Sequence, residues 1–96
     1  MAAVVITPTA VADLDRLTKT LNLPGTTRAR VRTSLELLAS FPLLGPQLTG
    51  RWEGFRFILG PWSWMLIVYV YEQEKDEVAV VTIQDARSSQ AATSQR

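Results

Sequence analysis

The sequence predicts an α+β domain, a helical hairpin backing a small, curved, mainly antiparallel sheet in the order βααβββ. Three observations predict it. Residues 8 to 40 carry apolar side chains at helical spacing in two runs broken at Pro24-Gly25. Residues 55 to 83 hold three strand-like stretches separated by Gly60-Pro61 and by the charged turn Glu72 to Glu77. A short β-branched run, Val4-Val5-Ile6, precedes them all. At 96 residues the chain is expected to make one domain over 1–87, with 88–96 a polar, flexible tail.

Each element has a local reason. After the first strand, Thr7-Pro8 offers a hydroxyl N-cap and a proline at the first helical position. Val11, Leu14, Leu17 and Leu21 then form an apolar stripe, while Asp13, Asp15, Arg16 and Lys19 occupy the other face. Thr26 or Thr27 caps a second helix running to about Ser40, with Val31, Leu35 and Leu38 as its stripe. Phe41-Pro42 stops it, and Leu43 to Leu48 makes an apolar connection around Gly45-Pro46. Phe55 to Leu59, Trp62 to Tyr71 and Val78 to Ile83 read as strands. The middle one is apolar on both faces, Trp62, Trp64, Leu66, Val68 and Val70 on one, Met65, Ile67, Tyr69 and Tyr71 on the other. It is therefore expected at the centre of the sheet.

Composition excludes several chemistries. The chain has neither cysteine nor histidine, so it lacks a disulfide framework, a thiolate nucleophile and the commonest general base and metal ligand. The acidic turn lacks the glycine and spacing of a calcium loop, and no glycine-rich phosphate loop is present. Neither a metal nor a cofactor is expected. A formal net charge of +1 does not mark a nucleic-acid binder. The longest apolar stretch, Trp62 to Tyr71, is about half of the roughly 20 residues a membrane helix needs. Met1-Ala-Ala also lacks the charged start and apolar segment of a signal peptide, so a cytoplasmic protein is expected.

Taken in order, several motifs resemble a known family. They are the proline-started helical hairpin, Phe41-Pro42-Leu43-Leu44-Gly45, the Leu48-x-Gly50-x-Trp52-x-Gly54-x-Arg56 entry, the turn at Gly60, Leu66-Ile67-Val68-Tyr69, and a last strand ending at Asp85-Ala86-Arg87. The chain resembles the RelE/ParE superfamily over about residues 4 to 90. The resemblance implies a bacterial toxin of a type II toxin–antitoxin module, bound in a hetero-oligomer by a cognate antitoxin. It also implies one of two modes of action: ribosome-dependent mRNA cleavage, or inhibition of DNA gyrase without known catalysis.

RelE-like nucleases place basic groups on the concave face of the sheet, and by position Arg51, Arg56 and Arg87 match three of them. Two other family positions depart. Met65 and Leu66 stand where the third strand is expected to carry an arginine, and Ala91, Ala92 and Thr93 stand where a tyrosine is expected. Guanidinium forks suit a phosphorane-like transition state but are poor bases. Glu53 and Asp85 are the nearby carboxylates that could act as base. The alternative is a set of solvated arginines in local ion pairs worth about 0–1 kcal/mol each. Among the aromatic side chains, Trp52, Trp62, Trp64, Tyr69 and Tyr71 are expected to offer an exposed apolar strip to the antitoxin. The nuclease reading is placed first, ahead of a gyrase inhibitor and of a degenerate member that only binds an antitoxin.

Overall fold

A computed structural model describes residues 1–94. The chain runs β1 (Ala3–Ile6), α1 (Pro8–Thr20), α2 (Thr27–Ser40), a 3-10 turn (Gly50–Trp52), β2 (Arg56–Leu59), β3 (Met65–Glu72) and β4 (Glu77–Asp85). The four strands form one sheet in the order β1-β4-β3-β2. β1 lies parallel to β4, and the other pairings are antiparallel. The expected α+β architecture and element order are those observed.

α1 begins as its sequence dictates. The Thr7 hydroxyl accepts from the Ala10 amide at 3.3 Å, and Pro8 occupies the first turn. The helix ends at Thr20, and Asn22 takes the left-handed conformation (φ 52°) that asparagine tolerates. α2 starts without a side-chain cap at Thr26; instead, buried Thr27 donates its hydroxyl to the Pro24 carbonyl at 2.5 Å.

β3 is one of the two interior strands, and its residues Met65 to Tyr69 are all buried. Its alternation splits the core in two. Met65, Ile67 and Tyr69 pack with Leu14, Val31, Leu35 and Leu38 beneath the helices. Leu66 and Val68 face the other way, towards Leu48, Phe55, Phe57 and the C-terminal segment. Burying each of these large aliphatic side chains stabilises the fold by about 1.5–3 kcal/mol.

Two expectations change here. Trp62 and Trp64 join the helix-side cluster instead of the Leu66 face. Residues 61–64 form a turn, so the period-two alternation begins only at Met65. The segment after residue 87, expected as a loose tail, is folded back through Ser94. Ala91 and Ala92 are 6% and 9% exposed, seated on Leu66 and Val68, and Gln84 Oε1 accepts from the Ala92 amide at 2.8 Å. An apolar sheet face needs covering, and two alanines fit closely over it. Residues 95 and 96 lie outside the described residues.

β1 shields β4 only from Glu77 to Val80. From there on, Thr7 and α1 supply side chains in place of a strand. Thr7 donates its hydroxyl to the Val80 carbonyl at 2.9 Å. Asp13, only 8% exposed, accepts from the Thr82 hydroxyl at 2.5 Å and from the Ile83 amide at 3.3 Å. Its other oxygen accepts from Arg16 at 3.1 Å. The sequence places Asp13 on a solvated face, whereas it closes the open edge of β4.

Candidate functional site

Arg87 follows the end of β4 and turns back onto it. Its Nε donates to Asp85 Oδ1 at 2.9 Å and its Nη2 to Asp85 Oδ2 at 2.8 Å, while its backbone amide also donates to Oδ1. This fork holds the Asp85 carboxyl below its ordinary value, chiefly through the guanidinium hydrogen bonds, and raises Arg87 in turn. A carboxylate so engaged on both oxygens is a poor proton acceptor near neutral pH.

The same guanidinium lies over the Trp64 ring, 5.0 Å from its centroid. Trp64 stacks on Trp62 with centroids 5.9 Å apart and planes 15° apart. Arg30 of α2 covers Trp62 at 4.7 Å. Arg30, Trp62, Trp64 and Arg87 therefore form a ladder that ties α2 to the end of β4. Each cation–π contact at such an exposed site contributes about 0.5–1 kcal/mol. The two tryptophans, expected to be open for a partner, already carry guanidinium groups.

Arg56 stands elsewhere. It pairs across the sheet with Tyr69, so both side chains lie on the helix-facing side. Its Nη1 donates to the carbonyls of Gly45 at 2.8 Å and Leu43 at 3.4 Å. Tyr69 is fully buried, and its hydroxyl oxygen accepts from the Gly45 amide at 2.9 Å. Burial pushes that phenol up from its usual range. Gly45 is required, because a Cβ there would stand 2.0 Å from the Phe57 carbonyl oxygen. Tyr69 is thus core, not a partner contact, and Arg56 anchors a loop.

Arg51 sits exposed in the 3-10 turn beside a groove of about 480 Å³ between residues 47–52 and 89–94. Glu53 closes that turn and is exposed. Among the described residues neither enters an ion pair. Trp52 is half-buried and meets Phe55 edge to face at 5.6 Å. Tyr71 is half-buried, and its hydroxyl donates to Asp76 at 2.7 Å, which raises its pKa. The five residues expected to form one catalytic group divide between different contacts. Only Asp85 and Arg87 touch.

One surface lies outside the residues that the sequence singles out. Phe41, Leu43 and Leu44 are exposed beside Tyr71 after the end of α2, and Leu37 is exposed on the helix's last turn. Its signal in the sequence is an uncharged run from Leu37 to Gly50 interrupted by two prolines.

A family profile described as the ParE toxin of the type II toxin–antitoxin system parDE matches residues 4–89. The chain belongs to this family.

The chain is a toxin of a type II toxin–antitoxin system. Solved structures share the fold. The chromosomal ParDE system of P. aeruginosa aligns with a TM-score of 0.68 at 17% identity, covering 91% of this chain and 98% of that one. The intact RelBE complex of E. coli aligns at 0.67 and 17%, covering 92% and 100%. The RelBE2 complex of Mycobacterium tuberculosis aligns at 0.65 and 21%, covering 88% and 96%. No curated protein matches the sequence directly.

In this ParE-family toxin, the two positions that depart from the nuclease pattern are interior. Met65 and Leu66 are fully buried in opposite halves of the core. Ala91 and Ala92 are pressed onto the sheet. Among the described residues, no helix is long and apolar enough to cross a membrane, and no three acidic side chains gather as a metal set.

Proposed function

We propose that this toxin arrests growth by binding its target without breaking a bond, and that the target is DNA gyrase. One observation carries the reading: the Arg56 guanidinium is spent on the Gly45 and Leu43 carbonyls, on the helix side of the sheet. An mRNA-cleaving site needs several cations around one phosphate. Arg87 is neutralised by Asp85 and stacked on Trp64, which further weakens that alternative. A cognate antitoxin is the neutralising partner, in keeping with the RelBE and ParDE assemblies that share this fold.

The test is induced expression of the toxin with two readouts, mRNA 5′-end mapping and plasmid supercoiling. The expected result is relaxed or cleaved plasmid with an unaltered transcript map. Cuts within codons while supercoiling is unchanged would restore the ribosome-dependent nuclease.

A further inference from the structure

Leu37, Phe41, Leu43 and Leu44 are 55%, 59%, 59% and 53% exposed, more than any other large apolar side chain except Met1. Phe41, Leu43 and Leu44 line a groove of about 620 Å³ with Tyr71. Contiguous apolar surface of this kind marks an interaction site. The loop that displays it is held with unusual firmness for a surface connection. Arg56 binds two of its carbonyls, Tyr69 binds its Gly45 amide, and Phe41 and Leu44 close a turn at 3.0 Å. A loop fixed before binding loses little entropy when a partner arrives.

Charge names the partner's chemistry. From Thr33 to Gly50 the sole ionisable residue is Glu36. The hairpin bordering the groove carries Glu72, Glu74, Asp76 and Glu77 against Lys75, and Lys75 already pairs with Glu72 at 3.4 Å. The Asp76 carbonyl and the Ala39 carbonyl both accept from the start of β1, which draws this hairpin to the end of α2. An occupant must therefore bring aliphatic side chains for the groove and positive charge for its border. We infer that the antitoxin docks here through an amphipathic segment whose aliphatic residues are flanked by lysine or arginine, with Arg56 and Tyr69 as positioning residues. This rests on the toxin–antitoxin reading.

The experiment uses the full chain and the purified product of the neighbouring reading frame, with affinity measured by calorimetry at low and high salt. Phe41→Ser with Leu43→Ser is expected to weaken binding about 30-fold or more, the loss typical of central interface anchors. Glu72→Lys with Glu74→Lys is expected to weaken it about tenfold at low salt and to flatten its salt dependence. Lys19→Ala, on the exposed face of α1, serves as the control with unchanged affinity. All five altered side chains are solvent-facing, so circular dichroism is expected to match the parent. Binding that neither double variant weakens overturns the surface alone. So does a toxin self-association that the Phe41/Leu43 variant abolishes while antitoxin affinity is unchanged. A wild-type chain that does not bind the neighbouring product overturns both this surface and the toxin–antitoxin reading.

Discussion

Arg56 and Tyr69 stand directly opposite each other on β2 and β3, and together they grip one glycine. Arg56 donates to the Gly45 carbonyl at 2.8 Å, and the Tyr69 hydroxyl accepts from the Gly45 amide at 2.9 Å. Removing the phenolic oxygen by Tyr69→Phe leaves a buried amide without a partner. We expect a loss of about 1–3 kcal/mol in urea denaturation. Gly45→Ala is expected to cost at least as much, about 3 kcal/mol, because the added methyl meets the Phe57 carbonyl. A Gly45→Ala protein as stable as the parent would show that this loop is free to shift.

Asp13 closes the part of β4 that β1 leaves open. Asp13→Ala strands the Ile83 amide and the Thr82 hydroxyl, both facing α1. The expected loss is about 2–3 kcal/mol. Asp13→Asn keeps an acceptor for one donor and is expected to lose less. Amide exchange at Ile83 is the local readout: it is expected to accelerate in Asp13→Ala beyond the β3 amides, which accelerate only in step with the loss of global stability.

Asp85 gives a pH dependence of known sign. Its folded pKa lies below the ordinary 3.8, so the native state holds the carboxylate more readily than the unfolded chain does. The stabilisation is present above that ordinary value and is lost as pH falls through the lower folded value. Asp85→Asn is therefore expected to lower the melting temperature at pH 7 and pH 5 by the same amount. Well below the ordinary value the difference shrinks. A gap that widened on acidification would contradict the Arg87 fork.

The fold was legible because its signals are local and agree with one another. Thr7-Pro8, the helical stripes and the doubly apolar β3 each specify their own element. The site was less legible, for three physical reasons. Alternation tells which strand residues share a face only where the chain is already extended, and that stretch begins at Met65, past Trp62 and Trp64. Cross-strand register decides a side chain's face, and nothing in the residues near Arg56 reveals its pairing with Tyr69. Alanine carries little hydrophobic signal, so the packing of Ala91 and Ala92 is invisible until the sheet face beneath them is seen.

Arg56→Ala separates the competing accounts most cleanly. If Arg56 served a phosphate, its loss would relieve growth arrest and leave the antitoxin bound. If it positions the Leu43–Leu44 loop, arrest persists and neutralisation weakens. Losing its hydrogen bonds to carbonyls costs about 1–2 kcal/mol, within the roughly 5–15 kcal/mol a small domain commands. The chain is therefore expected to fold. We expect induced Arg56→Ala to arrest growth as the parent does when expressed alone. Co-expression of the antitoxin at a level that just rescues the parent is expected to leave the variant toxic. Loss of arrest with antitoxin affinity intact would instead return Arg56 to catalysis.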